Sequence, residues 1–169
     1  MSGDGVERTD DGRYIVVKGR RWRASDPSIP EALRAELVSA LMTGRRMVRT
    51  HQDAARVMVH DAKVALGERG DPWWEPTAEG RRGRIAAAVR TFARARGEGS
   101  FCPSDVARAV GGEQWRDLMP AVREVAVELR DEGVVRIRQK GADVEGADFA
   151  GPVRIVAAEG LEFQPNLPD

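Results

Sequence analysis

Arginine side chains dominate the residues of this sequence that could do chemistry. Six cations in the second half lie on a predicted helix, just before it, or on a predicted β-ribbon. Guanidinium groups placed in this way can bind phosphate oxygens or the edges of guanine in a DNA groove. These candidate nucleic-acid-binding residues are Arg116, Arg123, Arg130, Arg136, Arg138 and Lys140.

Acidic residues accompany these cations and support a second interpretation. Glu124, Glu128 and Asp131 share the predicted exposed face of the helix with the arginines. Carboxylates that face a phosphate backbone repel it. A solvated, salt-paired helix and a ribbon edge protected by charge are therefore the alternative to DNA binding. The tip of the ribbon carries three more acids, Asp143, Glu145 and Asp148.

Six further arginines lie in the helix predicted for residues 78–96. The start of this helix can contact phosphate, as helix N-termini generally do. The alternative is an ordinary polar helix face that points to water. The six are Arg81, Arg82, Arg84, Arg90, Arg94 and Arg96.

Two adjacent tryptophans, Trp73 and Trp74, are the candidate partner-binding residues. They lie in a predicted loop after Pro72. Exposed indole rings can stack on bases or form the centre of a protein interface. The alternative is that the two rings close the boundary between the two halves of the chain.

No set of residues predicts an enzyme. His51 and His60 are nine residues apart, a spacing that does not bring two ligands together on a helix. Cys102 has no cysteine partner, and a reactive thiol is the alternative to a small buried residue. The sequence has no phosphate-binding glycine loop and no assembled nucleophile set. We therefore expect no catalytic residue, no metal ligand and no cofactor.

Composition limits the partners and the compartment. The 169 residues have a formal net charge of zero, so no overall field draws the protein to DNA or to a membrane. A single cysteine excludes an intrachain disulfide and fits a reducing cytoplasm. No apolar run approaches the ~20 residues of a membrane helix. We expect a cytoplasmic protein without a membrane partner.

The first half predicts a small sheet on two helices. Residues 1–12 are rich in Gly, Asp and Glu and are expected to be disordered. Residues 14–17 and 21–23 form a β-hairpin, and Ser28 with Glu31 has the spacing of a capping box. Apolar residues at helical spacing then predict helices to about residue 48 and over about 52–66. A helical hairpin is preferred, and one continuous helix is the alternative.

The second half predicts three helices and a β-ribbon. A helix over residues 78–96 is capped by Thr77, and a second begins at Pro103, which suits a first helical position. Pro120 is expected to begin the third helix, because proline inside a helix costs ~3 kcal/mol. Strands over 134–138 and 152–157 then flank a polar, Gly-rich wing, residues 139–151. This order is that of a winged helix-turn-helix.

The same residues carry a resemblance to a known family. The strings from Phe101 to Gly111 and from Trp115 to Arg123, with Gln139-Lys140-Gly141 and residues 151–155, resemble an uncharacterised bacterial winged-helix-like family of unknown function over about residues 81–158. The resemblance implies a fold and no activity. The first half, through strings such as Pro-Trp-Trp-Glu, resembles actinobacterial proteins of unknown function, some of them labelled as biopolymer-transport proteins.

We therefore predict a mainly α protein of the α+β class. Its parts are a disordered tail (1–12), a β-hairpin with a helical hairpin (13–76), a winged-helix-like domain (77–158) and a C-terminal tail (159–169). The leading functional hypothesis is a non-enzymatic nucleic-acid-binding or regulatory protein, with double-stranded DNA as its partner. The alternative is a protein–protein adaptor that uses the winged helix as a scaffold. The sequence does not fix the oligomeric state.

Overall fold

The structure, a computed structural model, describes residues 5–162. Three short strands come first, then a long bent helix, three more helices and a second small sheet. This content confirms the predicted α+β class. The elements are β1 (Glu7–Arg8), β2 (Tyr14–Val17), β3 (Arg20–Arg23), α1 (Glu31–Ala65), α2 (Ala78–Arg96), α3 (Pro103–Gly111), α4 (Trp115–Asp131), β4 (Val135–Gln139), β5 (Ala142–Asp143) and β6 (Arg154–Ala157).

The N-terminal sheet has the antiparallel order β1-β2-β3. A two-residue turn joins β2 to β3, and its residues Lys18 and Gly19 both have positive φ, 51° and 75°. Such turns match the twist of a β-hairpin, so the predicted hairpin is confirmed. The expectation of disorder over residues 1–12 is wrong for its described part. Residues 5–12 contain β1 and a turn, while residues 1–4 lie outside the described residues.

The helix α1 reverses direction at Gln52, where φ is 40° and ψ is −111°. A Cβ atom built on Gly44 would lie 2.9 Å from Val59 Cγ2. In a straight helix these two residues would be more than ~20 Å apart. The two arms, residues 31–51 and 53–65, are therefore packed side by side, and the preferred helical hairpin is confirmed.

The predicted capping box at the start of α1 is wrong. Pro30 occupies the N-cap position, and no side chain caps the helix there. The Ser28 hydroxyl instead donates to Asp26 Oδ1 at 2.7 Å. The serine lies two residues before the N-cap, and a neighbouring carboxylate is the stronger acceptor for its proton.

One hydrophobic core includes residues from both halves of the chain. The expected cap of α2 is confirmed, because Thr77 Oγ1 accepts from the Gly80 amide at 3.0 Å. The buried side of α2 packs against α1, so the expectation that the two halves touch is also confirmed. Large members of this core are Leu37, Leu41, Leu66, Ile85, Val89, Phe92, Phe101, Val122 and Ile137.

The helix α4, which is the third helix of the second half, does not begin at Pro120 as predicted. It begins at Trp115, directly after a short 3-10 turn at Gly112–Gln114, and Pro120 is its sixth residue. A proline there removes the hydrogen bond to the Arg116 carbonyl and crowds that carbonyl. Leu118, Val122 and Val125 are buried on one face across this position, and their packing outweighs the lost hydrogen bond.

The predicted ribbon is confirmed, with β4 paired to β6 in antiparallel register from Val135 opposite Ala157 to Arg138 opposite Arg154. Phe101 adds an isolated bridge to Ile155, which ties the start of α3 to the same sheet. A short strand that was not predicted, β5, pairs with the end of β4 through the turn at Lys140 and Gly141.

Candidate nucleic-acid interface

Two of the arginines predicted to face DNA instead hold the wing against α4. The Arg123 guanidinium donates to the carbonyl oxygens of Phe149 (3.2 Å) and Gly151 (2.8 Å). The Arg130 guanidinium donates to those of Val144 (3.0 Å) and Gly146 (2.8 Å). The Arg130 side chain is only 13% exposed. The expectation that α4 displays both arginines freely is wrong, because the wing carbonyls are their acceptors.

The other four candidate cations are more exposed. Arg136 and Arg138 lie near Asp143 in the adjacent strand β5, at 3.7 Å and 3.3 Å. Lys140 lies in the exposed turn that follows β4. Arg116 stacks on the ring of Trp115, with its guanidinium carbon 4.4 Å from the centroid. None of these contacts tests whether the four cations bind nucleic acid, so that role stays a prediction.

The outer face of α4 is mainly acidic. Glu124 and Glu128 are exposed, and both form ion pairs with Arg82 of α2. Other exposed acids of this helix are Asp117 and Asp131. This surface resembles the salt-paired alternative more than a basic surface that reads DNA.

Two arginines of α2 are buried, so for these two both alternatives, a phosphate contact and an ordinary polar face, are wrong. Arg94 is 1% exposed and donates to Asp61 Oδ2 at 2.6 Å. Arg84 donates to Asp26 Oδ2 at 2.9 Å and to the carbonyl oxygens of Ala65 and Ala109. Burial lowers the pKa of Arg84, and the adjacent Asp26 carboxylate opposes that shift.

A basic and aromatic surface lies elsewhere, on one face of the N-terminal sheet. The register places Tyr14 opposite Arg23 and Val16 opposite Arg21, so these residues share one face. Trp74 packs edge-on against Tyr14, with the ring centroids 5.8 Å apart. The Tyr14 face, as we call this surface, consists of Arg13, Tyr14, Arg21, Arg23 and Trp74.

Guanidinium groups cover the rings of the Tyr14 face. Arg21 lies 4.3 Å from the Tyr14 centroid, and Arg13 lies 4.7 Å from that of Trp74. Arg23 lies 5.9 Å from Trp74 and donates to the Gly70 carbonyl. One carboxylate, Glu7 of β1, lies on the same face through its pairing with Val16. The opposite face carries Arg20 over Trp22, at 4.3 Å.

A cavity of about 360 Å³ lies beside the Tyr14 face, between the N-terminal part and the turn before α4. Trp73 and Trp74 line it, so the two rings do lie at the boundary between the halves, as one of the two interpretations expected. The Trp73 Nε1 donates to the Ala24 carbonyl at 3.0 Å, and the two indole planes are nearly perpendicular. Polar residues that line the cavity include Asp26, Asp71, Arg81, Arg84, Gln114 and Asp117.

Asp71 occupies the N-terminus of α2 beside this cavity. Its Oδ2 accepts from the Thr77 hydroxyl (2.6 Å) and the Thr77 amide (2.8 Å). These two hydrogen bonds lower the pKa of Asp71. A Cβ atom on Gly80 would lie 2.0 Å from Asp71 Oδ2, so only glycine at position 80 lets the carboxylate reach the helix end.

The residues considered for catalysis or metal binding lie apart. His51 is exposed at the reversal of α1, and the His60 ring contacts Arg69. Cys102 precedes α3 as its N-cap residue and is half-buried. Within residues 5–162, no three His, Cys, Asp or Glu side chains are grouped closely enough to hold a metal ion.

The described part of the chain is thus an α+β protein with three helices and an antiparallel ribbon in its second half. Residues 82–158 match the family model described as "Protein of unknown function (DUF3253)". This match confirms the resemblance to a family of unknown function in that region, and the description adds no activity or ligand. No curated protein matches the chain. None of the described helices has an apolar stretch long enough to cross a membrane.

Sequence reasoning missed the Tyr14 face. The string Arg20-Arg21-Trp22-Arg23 alternates across a strand, which places Arg21 and Arg23 together on one side. This alternation was available from the sequence. The contact between the rings of Trp74 and Tyr14 could not be predicted, because the two residues are sixty positions apart and the packing of α1 and α2 brings them together.

Proposed function

We propose that the protein is a non-enzymatic, cytoplasmic nucleic-acid-binding protein that contacts its partner through the Tyr14 face. The observation that carries this proposal is the stacking of Arg13 and Arg21 on two neighbouring aromatic rings. Cations beside aromatic rings are the combination that proteins use to hold a phosphate backbone while bases stack.

The partner that fits this surface is a single strand. Bases of a duplex are already stacked on one another, so they are not free to stack on the rings of the Tyr14 face. Unpaired bases, in contrast, stack on aromatic rings or on guanidinium planes. The Tyr14 face presents both, because each guanidinium lies over a ring.

We further propose that residues 78–158 form a winged helix that serves as a scaffold. Three helices followed by an antiparallel ribbon support this assignment. The role of scaffold is supported by the wing contacts of Arg123 and Arg130 and by the acids on the outer face of α4. Both features disfavour insertion of α4 into a DNA groove.

A protein–protein adaptor is the second candidate function. It is favoured by the exposed carboxylates Glu124 and Glu128, which suit a basic protein surface better than a phosphate backbone. In this case α4 is the contact element and the Tyr14 face is not required.

Fluorescence anisotropy with labelled oligonucleotides tests the proposal. We expect a 15-nucleotide single strand to bind more tightly than a duplex of the same sequence, with an affinity that falls as salt rises. Arg21→Ala removes one phosphate contact and should reduce the salt slope by about 0.7. Trp74→Leu removes one stacking ring and should weaken binding roughly tenfold.

Arg20→Ala is the matched control, because Arg20 is the adjacent residue and lies on the opposite face of the sheet. It should leave affinity and salt slope nearly unchanged. Absence of single-strand binding at low salt contradicts the proposal. Tighter binding to the duplex that is lost in Arg116→Ala and Arg136→Ala would instead support the original hypothesis of DNA binding through α4 and the ribbon.

A further inference from the structure

The cavity between the N-terminal part and the turn before α4 has the features of a small-ligand site. Its volume of about 360 Å³ is near the lower end of the ~300–1,000 Å³ that is usual for such sites. That size suits one nucleotide and is too small for a dinucleotide. We propose that this cavity binds a single 5′-nucleotide, through its base and its phosphate.

The aromatic wall of the cavity is fixed before any ligand arrives. The Trp73 ring is held by its hydrogen bond to Ala24, and its side chain is packed tightly against Gly67, where a Cβ atom would lie 3.1 Å from Trp73 Cβ. Trp74 is held against Trp73 and Tyr14. Rigid rings lose little entropy when a planar base stacks on them, so this wall favours a base over a flexible ligand.

The polar groups on the floor of the cavity are largely engaged within the protein. The Arg84 guanidinium uses three of its five N–H donors on Asp26 and on two carbonyl oxygens, and its charge is paired with Asp26. The Asp71 carboxylate accepts from Thr77 and fills the end of α2. Neither the buried arginine nor the helix end is therefore available to a phosphate.

Three polar side chains that line the cavity make no side-chain hydrogen bond to residues 5–162: Arg81, Gln114 and Asp117. Arg81 supplies a free guanidinium, which binds phosphate through charge-assisted hydrogen bonds. Gln114 supplies an amide with two donors and an acceptor, and Asp117 supplies a carboxylate that accepts from base N–H groups. A guanidinium and two groups that can hydrogen-bond a base match the phosphate and the base of a nucleotide.

Two molecules carry a base with a 5′-phosphate and could fill the cavity: a free nucleoside monophosphate and the 5′-phosphorylated end of a single strand. Trp74 belongs both to the cavity and to the Tyr14 face, so a strand on that face passes the cavity entrance. The binding of a free nucleotide does not depend on the function proposed above.

Isothermal titration calorimetry and thermal unfolding with AMP, GMP, CMP and UMP test the inference on the full chain. At least one nucleotide should bind, quench tryptophan fluorescence and raise Tm with concentration, because it binds the folded state alone. The matching nucleoside should bind more weakly, and inorganic phosphate should not bind. Absence of binding by all four at millimolar concentration overturns the inference, as does equal binding of inorganic phosphate.

Variants locate the site. Arg81→Ala should weaken nucleotide binding roughly tenfold or more and leave nucleoside binding unchanged. Asp117→Asn should alter the preference among the four bases. Both side chains are exposed and make no side-chain hydrogen bond to the described residues, so the variants should fold like the parent protein. Arg108→Ala removes an exposed arginine of α3 outside the cavity, so it is the control and should bind normally. Normal nucleotide binding by both Arg81→Ala and Asp117→Asn overturns the inference.

A 5′-phosphorylated 15-nucleotide strand and its 5′-hydroxyl form distinguish the two sources. Tighter binding of the phosphorylated strand that is lost in Arg81→Ala identifies the strand end as the ligand. Equal binding of the two strands, with nucleotide binding intact, identifies the free nucleotide. If neither strand binds but nucleotides do, the function proposed for the Tyr14 face fails and the cavity site stands.

Discussion

Asp61 lies inside the molecule with two guanidinium groups around its carboxylate. It is 2% exposed and accepts from Arg90 at 2.9 and 3.1 Å and from Arg94 at 2.6 Å. Arg94 also donates to the Glu162 carbonyl at 3.0 Å. A buried guanidinium is tolerated only when a carboxylate and further acceptors satisfy it. Asp61 therefore joins the second arm of α1 to α2.

Asp61→Asn should be strongly destabilising. The substitution keeps the shape of the side chain but leaves the Arg94 charge buried without a carboxylate. Removal of one partner of a buried pair costs about 3–5 kcal/mol of unfolding free energy, measured by urea denaturation. Asp53→Asn is the control, since Asp53 forms a highly exposed pair with Arg56, and it should change stability little. If Asp61→Asn lowered the free energy of unfolding no more than Asp53→Asn does, the buried ion pair would not be needed for stability.

Asp71 predicts a pH dependence of stability. Its hydrogen bonds to Thr77 lower its pKa below the ordinary 3.8. A carboxylate with a lowered folded-state pKa stabilises the fold above the unfolded-state pKa, and this contribution disappears as pH falls through the folded-state value. At pH 7, Asp71→Asn should therefore unfold at a lower urea concentration than the parent protein. The difference should shrink progressively below pH 3.8.

Asp10→Asn provides the comparison for this measurement. Asp10 is exposed, and its side chain forms no hydrogen bond or ion pair within residues 5–162. The urea midpoint of Asp10→Asn should follow that of the parent at every pH. A constant gap between Asp71→Asn and the parent, from pH 7 to pH 3, would mean that the charge of Asp71 does not support α2.

At the scale of single residues, the sequence showed which side chains could cap a helix or carry charge, but not which distant residues they contact. Thr77 was predicted as a cap because the signal is local. For Arg84 and Arg94 the sequence offered a phosphate contact or a polar face, because both interpretations take the arginines of this helix as exposed. Their carboxylate partners are 58 and 33 positions away, and only tertiary packing makes an arginine at these positions a buried residue.

Among the elements, α1 contains an unfavourable backbone conformation at its reversal. Gln52 has φ 40° and ψ −111°, a combination that glycine adopts most readily. Such a conformation costs another residue about 1–3 kcal/mol. The hairpin persists because the packed arms, with Gly44 against Val59, compensate for this strain.

Gln52→Gly should stabilise the protein. The strain is removed, and the greater flexibility of glycine in the unfolded chain offsets part of the gain, which leaves about 1 kcal/mol. For a chain of this size, Tm should rise by about 2–4 °C in a calorimetric scan. Gln52→Ala also loses the exposed side chain but keeps the strain, so it should show no rise. An equal rise in both variants would assign the effect to the lost side chain.

Most elements of this chain were predictable, because their apolar residues recur at helical or strand spacing. The exceptions have local causes. Pro120 lies inside α4 because the buried face from Leu118 to Val125 continues across it. The wing is held by arginines of α4, and no pattern in the sequence shows that carbonyl oxygens of a loop will be their acceptors. This contact is also why the predicted DNA-facing arginines did not remain free.

For the molecule as a whole, the predicted division at residue 77 does not correspond to separate cores. Leu37 and Leu66 of α1 pack in the same cluster as Phe92 of α2 and Val122 of α4. The buried ion pair between Arg84 and Asp26 crosses the same boundary. Each half alone would bury a smaller fraction of its surface than the whole chain does, so the apolar faces that they share stabilise both.

A shared core predicts one unfolding transition. Trp115→Phe leaves three tryptophans, Trp22, Trp73 and Trp74, all in the N-terminal part. Their fluorescence reports on that part, while far-UV circular dichroism follows all four helices. In urea the two signals of this variant should change together, with one midpoint and one slope, because neither half keeps its core without the other. If fluorescence changes at a lower urea concentration than circular dichroism, the N-terminal part is instead a separate unit, and the cavity between the halves opens before the helices of residues 82–158 unfold.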